Sequence, residues 1–178
     1  MNGKYIIRSV NKLIQRAGTN DPIIICKRIG ISLSYHNLPP SLKGYYIRHH
    51  RIPNIVLNQN LSTYYIPLVA GHELGHHCIH NEDGMFQEYN FSNRDPLETE
   101  ANCFDAELLL NNDEKVIEVL REDRNLYQAA SCLGVPDWLL ECKLKLLNEK
   151  GYNFNDLNLI SAKNMKDNRG AFEINNFQ

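Results

Sequence analysis

Long apolar runs are missing from this chain. The longest, such as Ile23 to Cys26 and Leu108 to Leu110, fall far short of the roughly 20 residues a membrane span requires, so no span is expected. The N-terminus reaches Lys4 and Arg8 before any long apolar stretch and does not read as a secretory leader. An excess of one charge is also missing. Lys plus Arg is 19 against 21 for Asp plus Glu, which leaves no broad field to attract DNA or anionic lipid. The five cysteines are odd in number and contain no Cys-x-x-Cys pair. That argues against a disulfide framework and a thiolate zinc cluster, and for the reducing cytoplasm. What is present is a core-forming composition, 43% apolar and 22% charged over 178 residues, enough for one domain with an appendage.

Hydrophobic spacing sets out an α+β order. Residues 4–17 place Ile7, Val10, Leu13 and Ile14 at helical spacing up to Gly18, and a short helix over Pro22 to Ile29 closes at Gly30. Ile31, Leu33 and Tyr35 then alternate as in a half-buried strand, and Gly44 to His49 and Asn54 to Asn58 read as two more, separated by Arg51-Ile52-Pro53. A helical pattern covers Ser62 to His80, with Pro67 leaving its start open. Asp95-Pro96-Leu97-Glu98 is a strong helix start, and that helix should run to about Leu110. Shorter helices follow at about Asp113 to Arg121, Asn125 to Leu133 and Pro136 to Lys150. The expected organisation is a core over 1–124, a helical extension packed on it over 125–160, and a polar, flexible tail over 161–178.

Four of the seven histidines lie between Gly71 and His80, where His72-Glu73-Leu74-Gly75-His76 has the H-E-x-x-H spacing. On a helix, His72 and His76 stand roughly 40° apart around the axis and about 6 Å apart along it, so both imidazoles can meet one zinc ion. Glu73 is turned about 100° from His72, close enough to act on a water as general base without ligating the ion. The bland alternative is a surface helix with coincidental histidines. Against it, Leu61, Tyr65, Leu68, His72 and His76 form one stripe, so the imidazoles continue an inward apolar face.

A catalytic zinc takes a third protein ligand, with water in the fourth position. A metzincin would need Gly at position 79 and His at position 82, where this chain has Ile79 and Glu82. The remaining candidates are His80, Glu88 and the carboxylates of Glu98-Thr99-Glu100-Ala101-Asn102. On the latter helix Leu97, Ala101, Phe104 and Leu108 form the apolar stripe, which by itself does not choose between Glu98 and Glu100. Glu98 could equally close a capping box with Asp95. One modest point favours Glu98: Asn102, four positions on, could support a ligand from behind, whereas Phe104 could not do so for Glu100.

Together these blocks resemble the ImmA/IrrE-type metallopeptidases of bacterial mobile elements and stress responses, over roughly residues 20–150. The likeness is carried by the Gly44 to Asn58 sheet region ending in Ile55-Val56-Leu57-Asn58, by His72-Glu73-Leu74-Gly75-His76, and by Glu98-Thr99-Glu100-Ala101-Asn102-Cys103-Phe104-Asp105-Ala106-Glu107-Leu108-Leu109-Leu110. Asp105 stands where the family usually has Ala, and Asn111 where it usually has Pro. The resemblance implies a zincin-like core with one Zn²⁺ per chain, held by His72, His76 and Glu98, with Glu73 as catalytic base. It also implies cleavage of a helix-turn-helix transcriptional repressor inside the cell. The competing class is a metal-stabilised anti-repressor that sequesters its partner without cutting it; a zinc hydrolase acting on a non-protein amide is a further alternative.

Other residues have plainer readings. His77 reads as a surface or supporting residue and His80 as an alternative ligand; His36, His49 and His50 are solvated. Cys78 reads as a small core hydrophobe. Tyr89 could donate a hydrogen bond to a tetrahedral intermediate, as could any other tyrosine. Ala129 to Pro136 followed by Trp138-Leu139-Leu140 faintly suggests a helix-turn-helix. There, however, Lys143, Lys145 and Lys150 are matched by Asp137, Glu141 and Glu149, so direct nucleic-acid binding is not expected. Trp138, Leu139 and Leu146 are expected to pack against the core or a protein partner.

Overall fold

The computed structural model describes residues 2–80, 84–88 (as backbone), 95–122 and 125–152. Helix α1 (Gly3–Ala17) buries Ile6, Val10, Leu13 and Ala17. Its apolar face is thus rotated slightly from the expected one, with Ile7 and Ile14 at its border. Asn2 caps it, Oδ1 accepting the Tyr5 N–H at 3.1 Å. Helix α2 (Pro22–Ile29) starts on Asp21, whose Oδ1 accepts the Ile23 and Ile24 N–H groups at 2.8 and 3.1 Å. Pro22 at the first position forfeits no helical hydrogen bond.

The chain then builds a four-stranded mixed sheet from β1 (Ser32–His36), β2 (Gly44–His49), β3 (Ile52–Asn58) and β4 (Gly84–Glu88), in the order β1-β3-β2-β4. Strand β3 runs parallel to β1 and antiparallel to β2. Ile52 and Pro53 belong to β3, not to the connection: His49 pairs with Ile52, so the hairpin turns on His50 and Arg51, at φ 50° and 66°. Such left-handed pairs match the twist of a two-residue hairpin. Strand β4 was not anticipated. Gly84-Met85-Phe86-Gln87-Glu88 has no β-branched residue, and its place comes from antiparallel pairing with β2, Gly44 opposite Glu88.

Helix α3 (Tyr65–Ile79) carries the H-E-x-x-H segment. Pro67 lies in its first turn, where the missing N–H would have had no helical partner, so the helix is not kinked there but simply begins at Tyr65. Every residue from Leu68 to His76 is buried, because β2 and β3 cover one side and helix α4 (Pro96–Leu109) the other. The inward stripe is therefore wider than expected in its middle and shorter at its start, where Tyr65 is exposed. Asp95 starts α4 as read, Oδ1 accepting the Leu97 N–H at 2.8 Å. Leu97 itself is exposed, while Ala101 to Leu108 are all buried.

Helices α5 (Asp113–Arg121), α6 (Leu126–Leu133) and α7 (Asp137–Glu149) complete the described chain. Leu139, Leu140, Leu146 and Leu147 of α7 join one apolar cluster with α1, α3 and α4, each contributing roughly 1.5–3 kcal/mol by burial. The same face holds a closed set of charges. Lys143 Nζ lies 2.7 Å from both Glu107 and Asp113, and Lys150 Nζ 2.6 and 2.7 Å from the same two carboxylates. The expected tail over 161–178 lies outside the described residues. No helix among them is long and apolar enough to cross a membrane.

Candidate metal centre

Two glycines let α4 approach α3 closely. A Cβ on Gly75 would stand 3.2 Å from both the Cα and the carbonyl oxygen of Ala101, and one on Gly71 only 1.9 Å from Asp105 Oδ1. At this separation the side chains on either side of Ala101 reach the imidazoles. Glu98 Oε2 lies 3.1 Å from His72 Nε2 and Glu98 Oε1 3.5 Å from His76 Nε2, while the two Nε2 atoms are 3.1 Å apart. Glu98 therefore does not direct its carboxylate back to a capping box; both of its oxygens face the histidines.

The nitrogens behind this cluster fix what faces into it. His72 Nδ1 donates to Asn102 Oδ1 at 2.8 Å, which leaves His72 Nε2 as a lone pair. His72 and His76 are essentially inaccessible to solvent. Burial, which outweighs the attraction of the nearby carboxylate, pushes the His76 imidazole down to about 4. Burial alone would raise the Glu98 carboxyl, but hydrogen bonds and charge at His72 and His76 outweigh it and hold Glu98 well below the usual range. A proton is thus a poor neutral-pH occupant of the space between these atoms. Two imidazoles and a carboxylate form the donor set that suits a divalent cation, zinc above all. Their ligand atoms all lie within 4.8 Å of one another, so the residues present fit the ion.

Glu73 follows His72 on the helix and is fully buried. His80 and Glu100, two of the alternatives weighed for the third ligand, lie together behind His76, with His80 Nε2 3.3 Å from Glu100 Oε2. His77 shares a 3.1 Å hydrogen bond with the buried Tyr46 hydroxyl. The Cys78 thiol is pushed up to about 12, chiefly by burial, as suits an inert packing residue. The Glu88 side chain and Tyr89 lie outside what is described. Asp105, which stands out against the family pattern, is fully buried against Gly71, and neither of its oxygens has a hydrogen-bond partner among the described residues. Burial raises its carboxyl well above the usual range.

A small mixed sheet over an H-E-x-x-H helix, crossed by a helix that delivers a carboxylate, defines a zincin-like metallopeptidase with a helical extension. Residues 26–140 match the IrrE N-terminal-like domain of the M78 peptidases, and the chain belongs to that family. It is 32% identical over 137 residues to uncharacterized immunity region protein 2 of Bacillus phage phi105, covering 76% of this chain and 86% of that protein. It is 29% identical over 148 residues to metallopeptidase ImmA of Bacillus subtilis strain 168, covering 79% and 85%.

Proposed function

We propose that the chain is a zinc-dependent peptidase of the cytoplasm that cleaves a helix-turn-helix transcriptional repressor of a phage or mobile element. The observation that supports the chemistry best is the convergence of His72 Nε2, His76 Nε2 and the Glu98 carboxylate on one buried point, with Glu73 on the next position of the same helix. In this reading His72, His76 and Glu98 hold one Zn²⁺ per chain. A bound zinc ion lowers the pKa of water and polarises a scissile carbonyl. Glu73 takes the proton from the attacking water and hands it to the leaving amine. The immunity-region relative and the ImmA relative support a protein substrate in phage immunity, and the near-zero net charge supports a protein over a nucleic-acid partner.

Incubating the zinc-loaded chain with repressors encoded beside its gene, and reading fragments by mass spectrometry, tests the substrate. Glu73→Gln is nearly isosteric but cannot accept the proton. It should keep zinc, fold and partner binding while cleavage falls by about 10²- to 10⁴-fold, the range typical of a lost general base. Full relief of repression by Glu73→Gln with the repressor uncut would reject the peptidase in favour of the sequestering module.

A further inference from the structure

His80 was weighed as a ligand in place of Glu98, yet it does not face the point where the other ligand atoms converge. His80 Nδ1 lies 3.0 Å from His76 Nδ1, and His80 Nε2 lies 3.3 Å from Glu100 Oε2. His76 and His80 are both buried, and Glu100 is partly open to solvent.

The proton positions along this chain follow from what each group can do. A carboxylate only accepts, so the proton of the outer contact sits on His80 Nε2. A neutral imidazole carries one N–H, so His80 Nδ1 is then an acceptor. The proton between the two rings therefore belongs to His76 Nδ1, and His76 Nε2 is left with a lone pair aimed at His72 Nε2 and Glu98. We infer that Glu100 and His80 form a positioning relay that sets the tautomer and ring angle of His76, and that neither touches the metal.

The inference rests on the zinc reading and gives three polar residues of α4 separate tasks. Glu98 supplies the carboxylate, Asn102 orients His72 directly, and Glu100 orients His76 through His80. Such outer partners fix ligand orientation and raise ligand basicity, and losing one typically costs 10- to 100-fold in metal affinity.

The test uses the full-length chain and zinc itself, measured by competition against a chelator, with folding followed by circular dichroism. His80→Leu fills similar space but offers no acceptor, and should weaken zinc binding by about 10- to 100-fold. His80→Gln restores an acceptor for His76 Nδ1 and should recover most of that loss. Glu100→Leu should weaken binding less than His80→Leu. X-ray absorption of the cobalt-loaded forms should count the same number of imidazoles in wild type and His80→Leu. Tight wild-type binding left unchanged in folded His80→Leu would overturn the relay alone. Loss of one imidazole from the cobalt shell would overturn it too, by making His80 a ligand. A wild-type chain that binds no zinc would overturn the metal reading and the relay with it. Should His80→Leu not fold, ¹⁵N spectra of the zinc-loaded wild type still decide: protons on His76 Nδ1 and His80 Nε2 are expected, and the opposite tautomers reject the relay.

Discussion

Glu98 and Glu100 stand two positions apart on α4 and face different histidines, so the two carboxylates can be separated by mutation. Glu98→Ala removes the carboxylate that, alone among the described residues, faces both His72 Nε2 and His76 Nε2. It should weaken zinc retention beyond the roughly 100-fold upper range for a supporting partner, while Glu100→Ala stays within that range. Chelator competition on the two proteins gives the order, and the reverse order would move the ligand to Glu100. Asp105 makes a different prediction. Its folded-state carboxyl is raised by burial, so above about pH 4 the native protein keeps a proton that the unfolded chain sheds. The part of the stability that Asp105 governs is therefore fully present below the ordinary Asp range and is lost as pH rises toward the folded value. Asp105→Ala should melt higher than wild type near pH 8, and the gap should narrow toward pH 4. A gap that does not change with pH would refute this origin.

At the scale of elements, the crossing of α3 and α4 depends on what sits opposite each glycine. The nearest atoms to a Cβ on Gly71 all belong to Asp105, at 1.9, 2.9 and 3.8 Å, and only the last is ordinary contact. That last atom is the Asp105 Cβ, which alanine would retain. Gly71→Ala alone should destabilise the fold by about 1–3 kcal/mol, as overpacked core positions do. In combination with Asp105→Ala most of the loss should disappear, a coupling that thermal melts of the two single variants and the double variant measure. Simple additivity would mean that the helices separate on other contacts. Gly75 offers no such rescue, since a Cβ there meets the Ala101 backbone. Any shift it forces would carry Glu98 and Asn102 away from the imidazoles.

Across the whole molecule, the closed set of Lys143, Lys150, Glu107 and Asp113 ties α7 and α5 to the helix that bears Glu98. Lys143 is fully buried. Removing it leaves Glu107 short of one counter-charge in a site with little access to water. Lys143→Ala should therefore cost about 3–5 kcal/mol, a fall in melting temperature of roughly 6–20 °C for a domain of this size. Burial raises the Asp113 carboxyl, but hydrogen bonds and charge from Lys143 and Lys150 outweigh it and hold it down. This part of the stability is present above the ordinary Asp range and lost as pH falls through the folded value. A melting point unchanged in Lys143→Ala would show that apolar packing alone holds α7 on the core.

Much of the site was legible before any coordinates because its spacing is local. Residues four apart on a helix share a face, which brought His72 and His76 together, and the same rule paired Glu98 with Asn102. One cap was legible too: Asp95 accepts the Leu97 N–H just where the helix start ahead of Pro96 called for it. The role of His80 was not legible, since it follows His76 at the same spacing by which His76 follows His72. Helical periodicity cannot say which ring nitrogen meets a metal and which meets another ring. That was decided by the depth of the α4 crossing at Gly75 and Ala101, which brings Glu98 to one end of the row and Glu100 to the other. Strand β4 exists through its pairing with β2, a partner distant in sequence. The burial of Asp105, Glu107 and Lys143 likewise comes from elements that close over them from elsewhere in the chain, for local pattern reports which residues share a face and only tertiary packing reports what covers it.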